Sequence, residues 1–175
     1  GWVVVDNHSV EFGAMTWISG EPCDTALSSS LRVYADSSDY PDRFGISSFS
    51  GYCTGSNDAL YVKVGDESGD GSSSVTCARV AGPDGTSSSG LLCGMSVLSD
   101  NSATDKRGIV ALRGRCCHSY NWSSQESMDI YVPKEYRNTT TGWTEATCPD
   151  GQYVDNIGLQ VLATKTVDAD MMGAV

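Results

Sequence analysis

"DKRGIVALRGRC", residues 105–116, is the stretch on which the reading of this chain turns. It opens Asp-x-x-Gly, runs on as a strand-like alternation, and closes on a cysteine eight residues after the glycine (116 − 108). "DRFGISSFSGYC", residues 42–53, follows the same plan with the same step (53 − 45). A third start, Asp170-Met171-Met172-Gly173, lies in the closing "DADMMGAV", and the same step would place its cysteine near position 181 (173 + 8). The marks stand 63 and 65 residues apart (105 − 42 and 170 − 105). A near-constant period of this kind marks an internally repeated unit. The approximate repeats are 1–58, 59–127 and 128–175, the third incomplete, within one domain of 175 residues.

Outward from these marks the apolar residues alternate rather than recur at helical spacing. "WVVV", "LRVYA", "LYVKV", "VTCARV", "DIYVP" and "YVDNIGLQVLA" are strand-length and rich in Val, Ile and Tyr. Between them lie "DSSDYPD", "GDESGDGSSS", "AGPDGTSSSG" and "YRNTTTG", clusters of Gly, Ser, Asp and Pro that punctuate turns. No amphipathic helix of three turns is legible, and the class is all-β. Upstream of the three marks stand Cys23, Cys93 and Cys148, two of them shortly after Trp17 and Trp143. The unit therefore reads as strand, Trp-containing turn, cysteine, strand, acidic loop, glycine and closing strand, and the two tryptophans as internal packing.

"GWTEATCPDGQYVDNIGLQVL", with Cys148-Pro149-Asp150-Gly151 as its entry, and the opening "VVVDNHSVEFGAMTW" resemble repeats of the vitelline membrane outer layer protein I family. The family's Asp-Thr-Ala loop is echoed loosely by Ala103-Thr104-Asp105, and the second repeat lacks the tryptophan. The resemblance implies a β-prism, three antiparallel sheets about a pseudo-threefold axis, one per repeat. It implies extracellular coat components and, through related prisms, lectins. It implies no catalytic set.

Composition bounds the setting. A chain of this size buries roughly 70% of its surface on folding. A formal net charge of −11 makes nucleic acid and anionic membranes poor partners. Seven cysteines in a Ser-, Thr- and Gly-rich chain point to an oxidising compartment. Sequons at Asn7, Asn121 and Asn138 agree, and mark candidate sites of N-glycans. No run of 18 apolar residues exists to form a spanning helix. A start at Gly1 reads as a mature form after removal of a signal peptide.

Repeat logic pairs Cys23 with Cys53 and Cys93 with Cys116, leaving Cys77 with Cys117. The exchanged pairing, Cys77 with Cys116 and Cys93 with Cys117, stands open beside it. Bridges closing loops of these lengths contribute roughly 3–4 kcal/mol each on the chain-entropy model. Cys148 is odd, unpaired or intermolecular. No Cys-x-x-Cys occurs, and His8 and His118, the only histidines, do not lie at ligand spacing from two thiols, so no metal site is expected.

Nucleophilic catalysis needs a Ser or Cys beside a histidine oriented by a carboxylate. No Gly-x-Ser-x-Gly elbow frames either histidine, and both read as surface residues. Acidic clusters at Asp36, Asp39 and Asp42, and at Asp66, Glu67 and Asp70, lie among Gly, Ser and Pro and read as solvated hairpin tips rather than paired glycosidase carboxylates. "GDESGDG" looks like a calcium loop but misses the EF-hand spacing. No cofactor is expected, with calcium at Asp66, Glu67 and Asp70 a minor alternative. Carbohydrate binding asks for an aromatic beside Asp or Asn. Trp122 with Tyr120 and Asn121 is one candidate, weakened by competition with a glycan on Asn121, and Tyr40 with Asp39 and Asp42 are the others.

The expectation is a secreted, glycosylated, non-enzymatic structural protein of an extracellular coat, matrix or fibre. The alternative is a soluble lectin on the same scaffold. The apolar Trp2, Val3, Val4 and Val5 form a strand that either completes the third sheet of its own chain or inserts into a neighbour's, giving filaments. A processed or truncated chain is the plainer account of the unfinished repeat.

Overall fold

The computed structural model describes residues 15–19, 22–24, 27–36, 45–53, 61–65, 71–77, 79–100, 108–162 and 172–174. Trp2, Val3, Val4, Val5, Asn7, Asp39, Tyr40, Asp42, Asp66, Glu67 and Asp70 lie outside the described residues.

The described chain is antiparallel strand almost throughout. β1 (Met15–Ser19), β2 (Leu27–Asp36), β3 (Gly45–Cys53), β4 (Tyr61–Gly65), β5 (Gly71–Val75) and β6 (Arg79–Ala81) precede β7 (Ser87–Asp100) and β8 (Gly108–His118). β9 (Gln125–Tyr131), a single 3-10 turn (Lys134–Tyr136), β10 (Trp143–Thr147), β11 (Gly158–Leu162) and β12 (Met172–Ala174) follow. The strands form three sheets. One runs β4-β3-β2-β5, one β10-β7-β8-β9 with β6 also on β7, and one β1-β11-β12.

The Asp-x-x-Gly marks have a structural meaning. Gly45 and Gly108 open β3 and β8, and Gly173 lies in β12. In each case the strand before the loop pairs with the strand after it, Asp36 opposite Gly45 and Asp100 opposite Gly108. The third sheet joins both ends of the described chain. Met15–Ser19 pairs with Gly158–Leu162 in unbroken register, so a strand early in the chain joins that sheet. The tryptophan-containing turns are corrected. Trp17 lies within β1 and Trp143 opens β10, because both continue an antiparallel ladder, opposite Gln160 and Leu98.

Strand alternation alone would bury every second residue of β8. Instead Ile109, Val110, Ala111 and Leu112 are all buried completely. A register shift between Leu98 and Ser99 breaks the alternation there. Ile109 and Leu112 join the main core with Leu27, Leu92 and Ile130. Val110 and Ala111 form a second cluster with Leu98 and Tyr136, roofed by Val132 and Trp143. Fully burying a side chain of Leu or Ile size contributes about 1.5–3 kcal/mol.

Sheets are stitched together at residues 154–155. The Val154 amide donates to the Leu92 carbonyl at 2.7 Å, while the Val154 and Asp155 carbonyls accept from the Leu27 and Cys23 amides at 2.8 Å each. One extended segment thus satisfies backbone groups of β7 on one side and of the approach to β2 on the other.

Three disulfides add covalent ties, Cys23–Cys53, Cys77–Cys116 and Cys93–Cys117. The first is the pairing from repeat logic, and the other two follow the exchanged pairing. Alternation explains the exchange. Cys116 stands opposite Leu92 and joins the main core beside Cys77. Cys117, one residue on, points to the other face, and Cys93 reaches it from the register shift between Leu92 and Gly94. Cys93 therefore cannot also serve Cys116.

Candidate recognition surface

Two turns meet at one end of the β7-β8 hairpin. The first joins β6 to β7 through Gly82-Pro83-Asp84-Gly85-Thr86. Gly85 adopts a φ of 79°, which favours glycine, and Asp84 Oδ1 accepts from the Thr86 amide (3.1 Å) and hydroxyl (2.6 Å). The Thr86 hydroxyl, then its amide, holds the Asp84 carboxyl below its ordinary range. The second turn, residues 119–124, joins β8 to β9. The His118 amide donates to the Ser124 carbonyl, and the Ser124 amide to the Asn121 carbonyl. Asn121 Oδ1 accepts from the Ser123 amide and hydroxyl. Ser119 ties the turns together, its amide donating to Ser88 Oγ and its hydroxyl to the Ser89 carbonyl.

His118 stands between them. It reads as a surface residue in sequence, but is 5% exposed in the structure. Its position as the last residue of β8, facing two packed turns, removes it from water. Nδ1 accepts from the amides of Tyr120 and Asn121, each at 3.1 Å. Nε2 is buried and without a hydrogen-bond partner among the described residues. A nitrogen already taking two amide protons is not free to act as a general base.

The aromatics of the second turn divide. Tyr120 is 92% exposed, edge-on to His118. Trp122 is half-buried, and its Nε1 is buried without a partner among the described residues. Asn121 has committed its carbonyl oxygen to Ser123, which leaves only its amide nitrogen to a ligand or a glycan. Asn138, the other described sequon asparagine, is exposed just after the 3-10 turn.

The outer face of the β10-β7-β8-β9 sheet carries Arg113 and Arg115. Register sets Glu145, Ser96, Arg113 and Asp129 in one row across the four strands. Arg113 Nε donates to Asp129 Oδ1 at 2.8 Å, and its guanidinium lies 4.2 Å over the Trp143 ring. Trp143 Nε1 donates to the Thr139 carbonyl, so the indole is fixed at both ends. In the next row Gly94 separates Thr147 from Arg115. Arg115 reaches Glu145 Oε1 at 2.6 Å while contacting Gln125. The result is a polar sheet face whose charges are matched in pairs. Trp143 was assigned to packing from the sequence and does roof a core cluster, but the residues that surround it were not legible.

Cys148 holds a free thiol, partly buried. Its amide donates to the Cys93 carbonyl at 2.8 Å, extending the β10-β7 ladder by one residue. Burial, and then the carboxylate of Asp155, push the thiol above its ordinary range. Among the described residues no three His, Cys, Asp or Glu side chains gather as a metal-ligand set.

No family model and no curated protein sequence matches the chain.

Proposed function

We propose that this chain is a secreted, glycosylated structural module of an extracellular coat, matrix or fibre, a β-prism-like array of three repeats that performs no catalysis. The observation that carries the reading is the set of three disulfides. Two of them place their sulfurs in the main core, and bridges of this kind persist in oxidising compartments. The use of His118 as a fixed acceptor for two turn amides supports a structural role over a catalytic one.

Assembly by strand complementation is supported by β10. It is the terminal strand of its sheet among the described elements, with Thr144, Glu145 and Thr147 exposed. An open edge of this kind recruits a strand from another chain, and Trp2, Val3, Val4 and Val5 are the proposed donor. The test is electron microscopy and light scattering of protein secreted from eukaryotic cells, before and after removal of N-glycans. Filaments or regular oligomers, lost when Val3, Val4 and Val5 are replaced by lysine, are expected. Monodisperse single particles at high concentration would sink the assembly reading.

A soluble carbohydrate-binding module is the second reading, favoured by the nearly complete exposure of Tyr120 at the tip of its turn. Tyr40 with Asp39 and Asp42 remain its candidate sugar site, with Tyr120, Asn121 and Trp122 the weaker one. A glycan array with no binding, with or without calcium, would count against it.

A further inference from the structure

We infer that His118 is a pH-operated latch on the turn at 119–124, set beside the turn at 82–86. The imidazole nitrogen that accepts the Tyr120 and Asn121 amides carries no proton, so the proton of the neutral ring sits on Nε2. That nitrogen lies close to the first turn. A Cβ placed on Gly82 would lie 3.2 Å from His118 Nε2, 3.1 Å from Asp84 Oδ1 and 3.2 Å from the Thr86 carbonyl oxygen. Nε2, a carboxylate and a carbonyl thus all border the space over the bare Cα of Gly82, and Nε2 bonds neither.

A second proton can add only at Nδ1. Its arrival removes the acceptor of both amides and leaves two backbone donors unpaired. The same step places a positive charge in the field of Asp84, which favours the charged ring. The Asp84 carboxyl, held low first by the Thr86 hydroxyl and amide, is also within the field of His118. The other titratable group that faces the ring, among the described residues, is the phenol of Tyr120, with ring centroids 6.1 Å apart. Strand β7 places Gly90 opposite His118, and Ser124 receives its backbone amide; neither titrates. Acid thus releases the turn that displays Tyr120 and Asn121, while the disulfides hold the sheets.

The test is amide exchange and 15N chemical shifts on the folded, oxidised protein between about pH 8 and about 5. Protection of the Tyr120 and Asn121 amides, corrected for intrinsic exchange, should fall about tenfold or more, with amides in β8 unchanged. His118→Asn supplies an acceptor that does not titrate and should keep protection flat. Asp84→Asn, on an exposed turn, should reduce the loss at a given pH. Constant protection in the unsubstituted protein would overturn the latch, as would an equal fall in His118→Asn. Should His118→Asn fail to fold, an unaltered response in Asp84→Asn overturns it.

Discussion

Cys93 and Cys117 are joined across the β7-β8 ladder with 5.9 Å between their Cα atoms, although Cys116 is the next residue along the same strand. Opposite faces of one strand cannot share a partner, so the two adjacent cysteines divide their bonds between Cys77 and Cys93. Peptide mapping under non-reducing conditions should recover Cys77–Cys116 and Cys93–Cys117 peptides. Double replacement of Cys77 and Cys116 by alanine should cost about 2–5 kcal/mol in urea unfolding, since it opens a closed loop and hollows the main core.

Gly94 and Gly114 should respond differently to a methyl group. A Cβ on Gly94 would lie 3.0 Å from the Ala146 carbonyl oxygen and 3.3 Å from the Thr147 Cα, and backbone cannot step aside. A Cβ on Gly114 meets the ends of Leu92, Ile130 and Met128 at 3.0–3.2 Å, which rotate. Gly114→Ala should cost about 1–3 kcal/mol and Gly94→Ala more, with loss of β10 pairing. Thermal unfolding of the two variants compares them directly.

Arg113 tests which of its two contacts holds the sheet face. Its ion pair with Asp129 is solvent-exposed, at 28% and 63% for the two side chains. Asp129→Asn should therefore cost about 1 kcal/mol or less, and less still at high salt. A double-mutant cycle between Arg113 and Trp143 should give a coupling of about 0.5–1 kcal/mol that salt changes less.

Cys148 should alkylate slowly at neutral pH. Burial and Asp155 both disfavour its thiolate, so the reactive form appears only at higher pH than for an ordinary thiol. Its stability contribution is complete below the ordinary thiol range and is lost as pH rises through the raised value. Asp155→Asn should speed labelling by a thiol reagent at fixed pH, because it removes the second cause and leaves the first. Labelling as fast as free cysteine in the unsubstituted protein would contradict the partial burial seen here.

Much of the strand content was legible because alternation and Gly/Ser/Asp punctuation are local signals. "IVALRGRC" reads as a strand, and Gly108–His118 is one. His118 was misread for an equally physical reason. Its burial depends on two turns from separate hairpins closing over it, and nothing within a few residues records that. The Arg113–Trp143 stack was hidden in the same way, since those residues are thirty apart (143 − 113) and meet through the register of two ladders.

The sequence by itself determined that this is an all-β, cysteine-rich chain, where its long hairpins turn, and which glycines open them. Those are consequences of backbone preference and of side-chain period, which act over a few residues. Tertiary structure alone decided which of two adjacent cysteines bonds which partner, that Met15–Ser19 pairs with Gly158–Leu162, and that a buried histidine accepts two amides of the turn that follows it. Each depends on register, and register is set by packing between strands far apart in the chain, where a one-residue shift sends a side chain to the opposite face.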